Sequence, residues 1–88
     1  MENQAQGLEF PCAYPVKVMV ERAPAARDQV LAVAAAHAEF CPTSDVRYRS
    51  SRNGRFESIT ITVQVESRDQ LEALYHALRD LKVVKMML

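Results

Sequence analysis

Ten residues, Phe56-Glu-Ser-Ile-Thr-Ile-Thr-Val-Gln-Val65, restrict the fold of this chain more than any other stretch. Ile59, Ile61, Val63 and Val65 recur with a period of two, and Ser58, Thr60, Thr62 and Gln64 fill the places between them. Successive side chains of a strand point to opposite faces, so the pattern predicts a long strand with one buried and one open face. Threonine keeps strand propensity while remaining polar, which lets the open face stay wet without weakening the strand. A sheet covered on one side only follows, with helices gathered on the apolar side.

The flanking segments supply those helices and the other strands. Tyr14 to Glu21 reads as a first strand, with Val16, Val18 and Val20 on one face and Lys17, Met19 and Glu21 on the other. Pro15 has no donor and is expected among that strand's first residues. Pro24 suits the first turn of a helix running to about Glu39, with Val30, Val33, Ala34 and His37 at helical spacing and Leu31 and Ala38 widening the stripe. Pro42 ends it. Asp45 to Ser50 is read as a second strand, and Asn53-Gly54 suits the positive φ of a tight turn before the third. Ser67-Arg-Asp-Gln70 has the form of a capping box and opens a helix with Leu71, Leu74, Tyr75 and Leu78 on one stripe. Val83 to Leu88 is the last strand.

The order β-α-β-β-α-β predicts an α+β, ferredoxin-like sandwich. Its four-stranded antiparallel sheet should run 4-1-3-2, with two helices on one face. Residues 1–9 are read as a flexible N-terminal segment and 10–88 as one domain, with Phe10 packing on its edge. In this placement Val46 and Tyr48 face the helices, so Tyr48 is expected in the core and Arg47 and Arg49 on the open face.

Hydrophobic residues make up 49% and charged residues 25%, a globular balance. With 11 basic and 11 acidic residues, no net field favours a polyanion. The distribution is uneven: residues 47–55 carry Arg47, Arg49, Arg52 and Arg55 and no acid. Arginine forks hold phosphate or carboxylate in bidentate geometry, so these four are candidate anion or partner contacts; the plainer reading is a solvated hairpin. The apolar last strand offers a second candidate surface, with Val83, Lys85 and Met87 on one face and Met87 expected beside Met19 on the open side.

No residue set amounts to an enzyme site, so catalytic, cofactor-binding and metal-binding residues are all expected to be absent. His37 and His76 lie on different helices without ligand spacing, Cys12 and Cys41 lack a CxxC pattern, and Ser50, Ser51 and Ser58 lack a nucleophile-elbow context. RNA-recognition domains of this strand order stack bases on exposed aromatics. The open positions here are Lys17, Met19, Ser58, Thr60 and Thr62, which makes nucleic acid the weakest partner class. The first residues, MENQAQGLEF, show no secretory pattern and no stretch approaches ~20 apolar residues, so a cytoplasmic location is expected.

Leu8-Glu9-Phe10-Pro11, Tyr14-Pro15-Val16-Lys17-Val18-Met19, Ser50 to Thr60 and Val83-Val84-Lys85-Met86-Met87-Leu88 together resemble the YbeD-like family of small bacterial proteins. That resemblance covers nearly the whole chain and implies a fold similar to ACT-type regulatory domains. It also implies regulation through association or a small ligand, with a link to lipoate metabolism drawn from genomic neighbourhood and no catalytic residues to carry over. After Met19 the family often has glycine, where this chain has Val20. A side chain there weakens the transfer of amino-acid binding from ACT-type sites. The expected function is therefore a cytosolic regulatory or protein-interaction domain, self-associating or binding a partner through its sheet face or edge. An ACT-like sensor of a small anionic metabolite is the alternative.

Overall fold

A computed structural model describes residues 9–88. Its elements are β1 (Cys12–Glu21), α1 (Ala26–His37), β2 (Val46–Ser50), β3 (Phe56–Val65), α2 (Arg68–Arg79) and β4 (Val84–Met87). The sheet is antiparallel in the order β2-β3-β1-β4, which is the expected order read from the other edge. Both helices cover one face, and the fold is the ferredoxin-like βαββαβ sandwich. The expectation for residues 1–8 lies outside the described residues; Phe10 is half-buried against the core.

Alternation in the sequence becomes burial in the structure. Val16, Val18, Val20, Ile59, Ile61, Val63 and Val65 are all 1% exposed or less. Leu71, Leu74 and Leu78 of α2 and Ala26, Val30 and Ala34 of α1 close the layer above them. Each buried Val, Ile or Leu contributes roughly 1.5–3 kcal/mol through removal of apolar surface from water. The alanines of α1 have little side chain to hold the helix away from the sheet.

β1 begins two residues earlier than its sequence pattern indicated, so Pro15 lies inside the strand opposite Thr62. Thr62 donates its N–H outward to the Asp45 carbonyl at 2.8 Å. The Pro15–Thr62 pair is thus a non-hydrogen-bonded one, and the proline nitrogen faces the β4 side. β4 pairing with β1 ends at Val18, so no ladder bond is lost there. α1 is shorter than expected at both ends. After His37 the backbone straightens at Ala38, and Glu39 bridges to Gln64, whose N–H donates to the Glu39 carbonyl at 2.8 Å.

Ser67 caps α2 as its sequence predicted, accepting from the Gln70 N–H at 3.1 Å. The Gln70 side chain returns to the N–H of Glu66, one residue before the cap, at 2.6 Å. Its amide group also donates to the His37 carbonyl at 2.8 Å. One glutamine thereby ties the start of α2 to the end of α1.

Candidate functional site: the open sheet face and the arginine cleft

Strand register decides which charged residues share a surface. Arg47 pairs with Thr60 and Thr60 with Lys17, so these three form one row across β2, β3 and β1. Arg49, Ser58, Met19 and Met86 form the next row, which reaches β4. Ser58 and Thr60 lie opposite in parity to the buried isoleucines, so both rows stand on the face without helices. A groove of about 480 Å³ there is lined by Lys17, Arg47, Tyr48, Arg49, Ser58 and Thr60. Among the described residues, none of Lys17, Arg47 and Arg49 makes an ion pair. Three cations and two hydroxyls therefore face solvent beside an apolar strip of Met19 and Met86.

That strip corrects the sequence parity of the last strand. Met87 pairs with Val18 and packs on the core, and Val83 also packs there. Met86 is 54% exposed and pairs with Met19. The register shifts between Met19 and Val20, because Val20 pairs with Val84 and Lys85 is the extra residue. This bulge interrupts the alternation on which the parity depended. Lys85 stays exposed and its Nζ lies 3.8 Å from Glu21 Oε1.

The four hairpin arginines do not converge. Arg47 and Arg49 stand on the open face. Arg52 lies in the turn, which Gly54 makes possible with φ of 76°. Asn53 holds that turn, its Oδ1 accepting from Ser51 Oγ at 3.1 Å and from the Arg55 N–H at 3.0 Å. Arg55 reaches toward Glu21, 4.0 Å away, and its guanidinium lies 5.5 Å from the centroid of the Phe56 ring.

Tyr48 is not core. It has the parity of Ile59 and faces the helix side, but β2 is an edge strand and the residue remains 37% exposed. The Arg27 guanidinium covers it at 3.8 Å from the ring centroid. The same Arg27 donates from Nε to Glu57 Oε1 at 2.9 Å and from Nη2 to Oε2 at 2.6 Å. Glu57 is 4% exposed and is the buried charged residue of the described chain. The Arg27 hydrogen bonds hold its carboxyl below the ordinary range, against the opposing effect of burial.

Sequence reading passed over this pair, although a signal was present. Glu57 shares the parity of Ile59, and a carboxylate on the buried face of a strand demands a cation. Beside the pair, a cleft of about 340 Å³ is lined by Arg22, Ala23, Pro24, Arg27 and Glu57.

The remaining candidates stay apart. His76 lies on α2, in contact through Nδ1 with Arg79 Nη2 at 2.5 Å. Cys12 is half-buried and Cys41 exposed, both as free thiols. The hydroxyl groups of Ser44 and Thr43 push the Cys41 thiol down to about 6. No group of three or more His, Cys, Asp and Glu that could hold a metal ion occurs among the described residues.

Comparison with known proteins bears out the family resemblance. Residues 5–88 match the family described as protein of unknown function DUF493. A UPF0250 protein of Nitrosomonas europaea is 38% identical over 81 residues, covering 92% of this chain and 93% of the relative. One from Chromobacterium violaceum is 39% identical over 89 residues, covering 100% of both. Among solved structures, protein HP0495 of H. pylori superposes with a TM-score of 0.71 at 15% identity, covering 100% of this chain and 94% of that one. The ACT domain from GTP pyrophosphokinase of Chlorobium tepidum does so with a TM-score of 0.70 at 13% identity, covering 88% and 83%. These two likenesses are of fold, and the relatives place the chain by sequence: it belongs to the DUF493 family, which is the UPF0250 or YbeD family.

Proposed function

We propose that the chain is a small cytoplasmic regulatory or protein-interaction domain that docks an acidic protein partner on its open sheet face. One observation carries this reading: Lys17, Arg47 and Arg49 stand there without ion pairs among the described residues, next to exposed Met86 and half-exposed Met19. Cations steer an acidic partner and fix its register, while methionines adapt to an apolar contact. Isologous stacking of two copies through this face would bring like charges together, so a second copy suits it less well than an acidic partner. A homodimer would instead use the β4 edge. Among the described residues Phe56 is the one strand aromatic with the parity of this face, not a pair to stack bases, which leaves RNA the least supported partner. The likeness to an ACT domain agrees with a regulatory role by analogy of fold.

Affinity capture from the host's soluble extract tests the reading, with wild type compared against Arg47→Glu/Arg49→Glu. Both side chains are exposed, so the variant keeps its fold. The expected outcome is a partner retained by wild type at low salt and lost from the variant. Identical partners on both proteins would overturn the proposal. Sedimentation across concentration separates self-association from partner binding.

The second reading is a sensor of a small anionic metabolite, placed not on the open face but in the cleft beside Arg27, where two guanidinium groups stand against one carboxylate.

A further inference from the structure

The cleft lies where the end of β1 turns into α1. Its walls are the small apolar residues Ala23 and Pro24, and its polar lining is Arg22, Arg27 and Glu57. Glu57 is already held by two hydrogen bonds from Arg27. Arg22 has no ion pair among the described residues. It nevertheless stands close enough to Glu57 to help keep that carboxyl ionised. The lining thus holds two fixed positive charges against one negative charge, and the surplus belongs to Arg22.

Arg22 is placed by the fold rather than left to wander. Its N–H donates to the Arg55 carbonyl at 2.9 Å, which ties the end of β1 to the β2–β3 hairpin. Its Nη1 lies 3.6 Å from where a Cβ on Gly54 would stand, so the guanidinium rests against the turn. Arg27 is fixed on its other side by the Tyr48 ring and uses Nε and Nη2 on Glu57, leaving Nη1 to donate elsewhere. The start of α1 borders the cleft, and its first turn carries the acid Asp28 beside its N–H groups. Its N-cap is Ala25, which offers no side-chain oxygen to the first-turn N–H groups.

We propose that this cleft binds a small metabolite through an oxyanion group, phosphate or carboxylate, gripped by Arg22 and by the free edge of Arg27. The fork of a guanidinium matches two oxygens of either group. A volume of about 340 Å³ exceeds what the oxyanion alone needs, so the rest of a small molecule lies against Ala23 and Pro24. The inference gives the second reading a site and a ligand class and rests on that reading. It is independent of the open sheet face, where different cations act.

The test is a titration followed by amide and arginine Nε–H resonances in NMR spectra. Inorganic phosphate and succinate are added separately at constant ionic strength, with chloride as the reference anion. The expected result is a saturable shift at Arg22, Arg27 and the first turn of α1 with at least one of the two. Phosphate alone saturating assigns phosphate esters; succinate alone assigns carboxylates. Arg22→Ala, an exposed position, should weaken binding at least about tenfold, the loss of one charge-assisted contact. Arg22→Lys should recover part of it, and Arg49→Ala should leave it unchanged. Shifts that match chloride and never saturate would overturn the proposal. So would binding unaltered in Arg22→Ala, or shifts centred on Lys17, Arg47 and Arg49. Failure here leaves the partner-docking reading intact, because that reading is judged by capture on the open face.

Discussion

A carboxylate that is 4% exposed stays ionised only while a cation holds it, and for Glu57 that cation is Arg27. Arg27 hydrogen bonding depresses the folded carboxyl below its unfolded value of about 4.3. The resulting stability is fully present above that value and is lost as pH falls through the folded one. Glu57→Gln should lower stability at pH 7 by about 1–3 kcal/mol, and urea denaturation should show the difference shrinking below pH ~4. Arg27→Ala should be the more damaging change, since it strands a buried carboxylate, whereas Glu57→Gln leaves a half-exposed guanidinium in water. Equal stability of Arg27→Ala and wild type would contradict the account of this pair. Cys41 supplies a second residue-scale prediction. With its thiol pushed down to about 6 by Ser44 and Thr43, alkylation by iodoacetamide should reach half its maximal rate near pH 6. An ordinary thiol does so near about 8.5. Ser44→Ala should move the midpoint upward, and a wild-type midpoint above pH 8 would refute the hydroxyl effect.

At the scale of elements, caps and turns are local and were legible. Ser67 and Gln70 announce the start of α2, and Asn53-Gly54 announces the hairpin. Gly54→Ala places a Cβ on a residue with φ of 76° and should destabilise by about 1–2 kcal/mol. Ser67→Ala removes the acceptor of the Gln70 N–H and should destabilise by about 1 kcal/mol. Urea midpoints at unchanged slope would measure both; no loss in Gly54→Ala would contradict the turn geometry. Strand pairing is not local, and there the sequence pattern misled. The bulge opposite Met19 and Val20 moves Met87 to the core side and Met86 to the open side. Nothing within Val83 to Leu88 signals this, because both parities of that segment carry apolar residues. Tyr48 has the parity of the core but lies on an edge strand, and parity alone does not say how far the helix layer extends.

For the whole molecule, element order fixed the topology, since the β3 alternation and the two amphipathic helices leave few ways to close a core. The excess of arginines in residues 47–55 was equally plain. Its division between surfaces was not, because it depends on register and on the β1–α1 turn, both set by tertiary contacts. Arg47 and Arg49 join Lys17 on the open face, while Arg55 turns to Glu21 and its carbonyl accepts from Arg22. The net charge of zero thus hides a positive open face, and that face is central to the functional account. Methionine oxidation reports on it directly. Met86 and Met19 lie between the cations and the β4 edge, and thioethers react readily when exposed. Hydroxyl-radical footprinting should compare the free protein with the complex recovered by capture. The account predicts strong protection of Met86 and weaker protection of Met19, with the exposed His76 on α2 unchanged. Undiminished oxidation of Met86 in the complex, with protection of His76 instead, would contradict it.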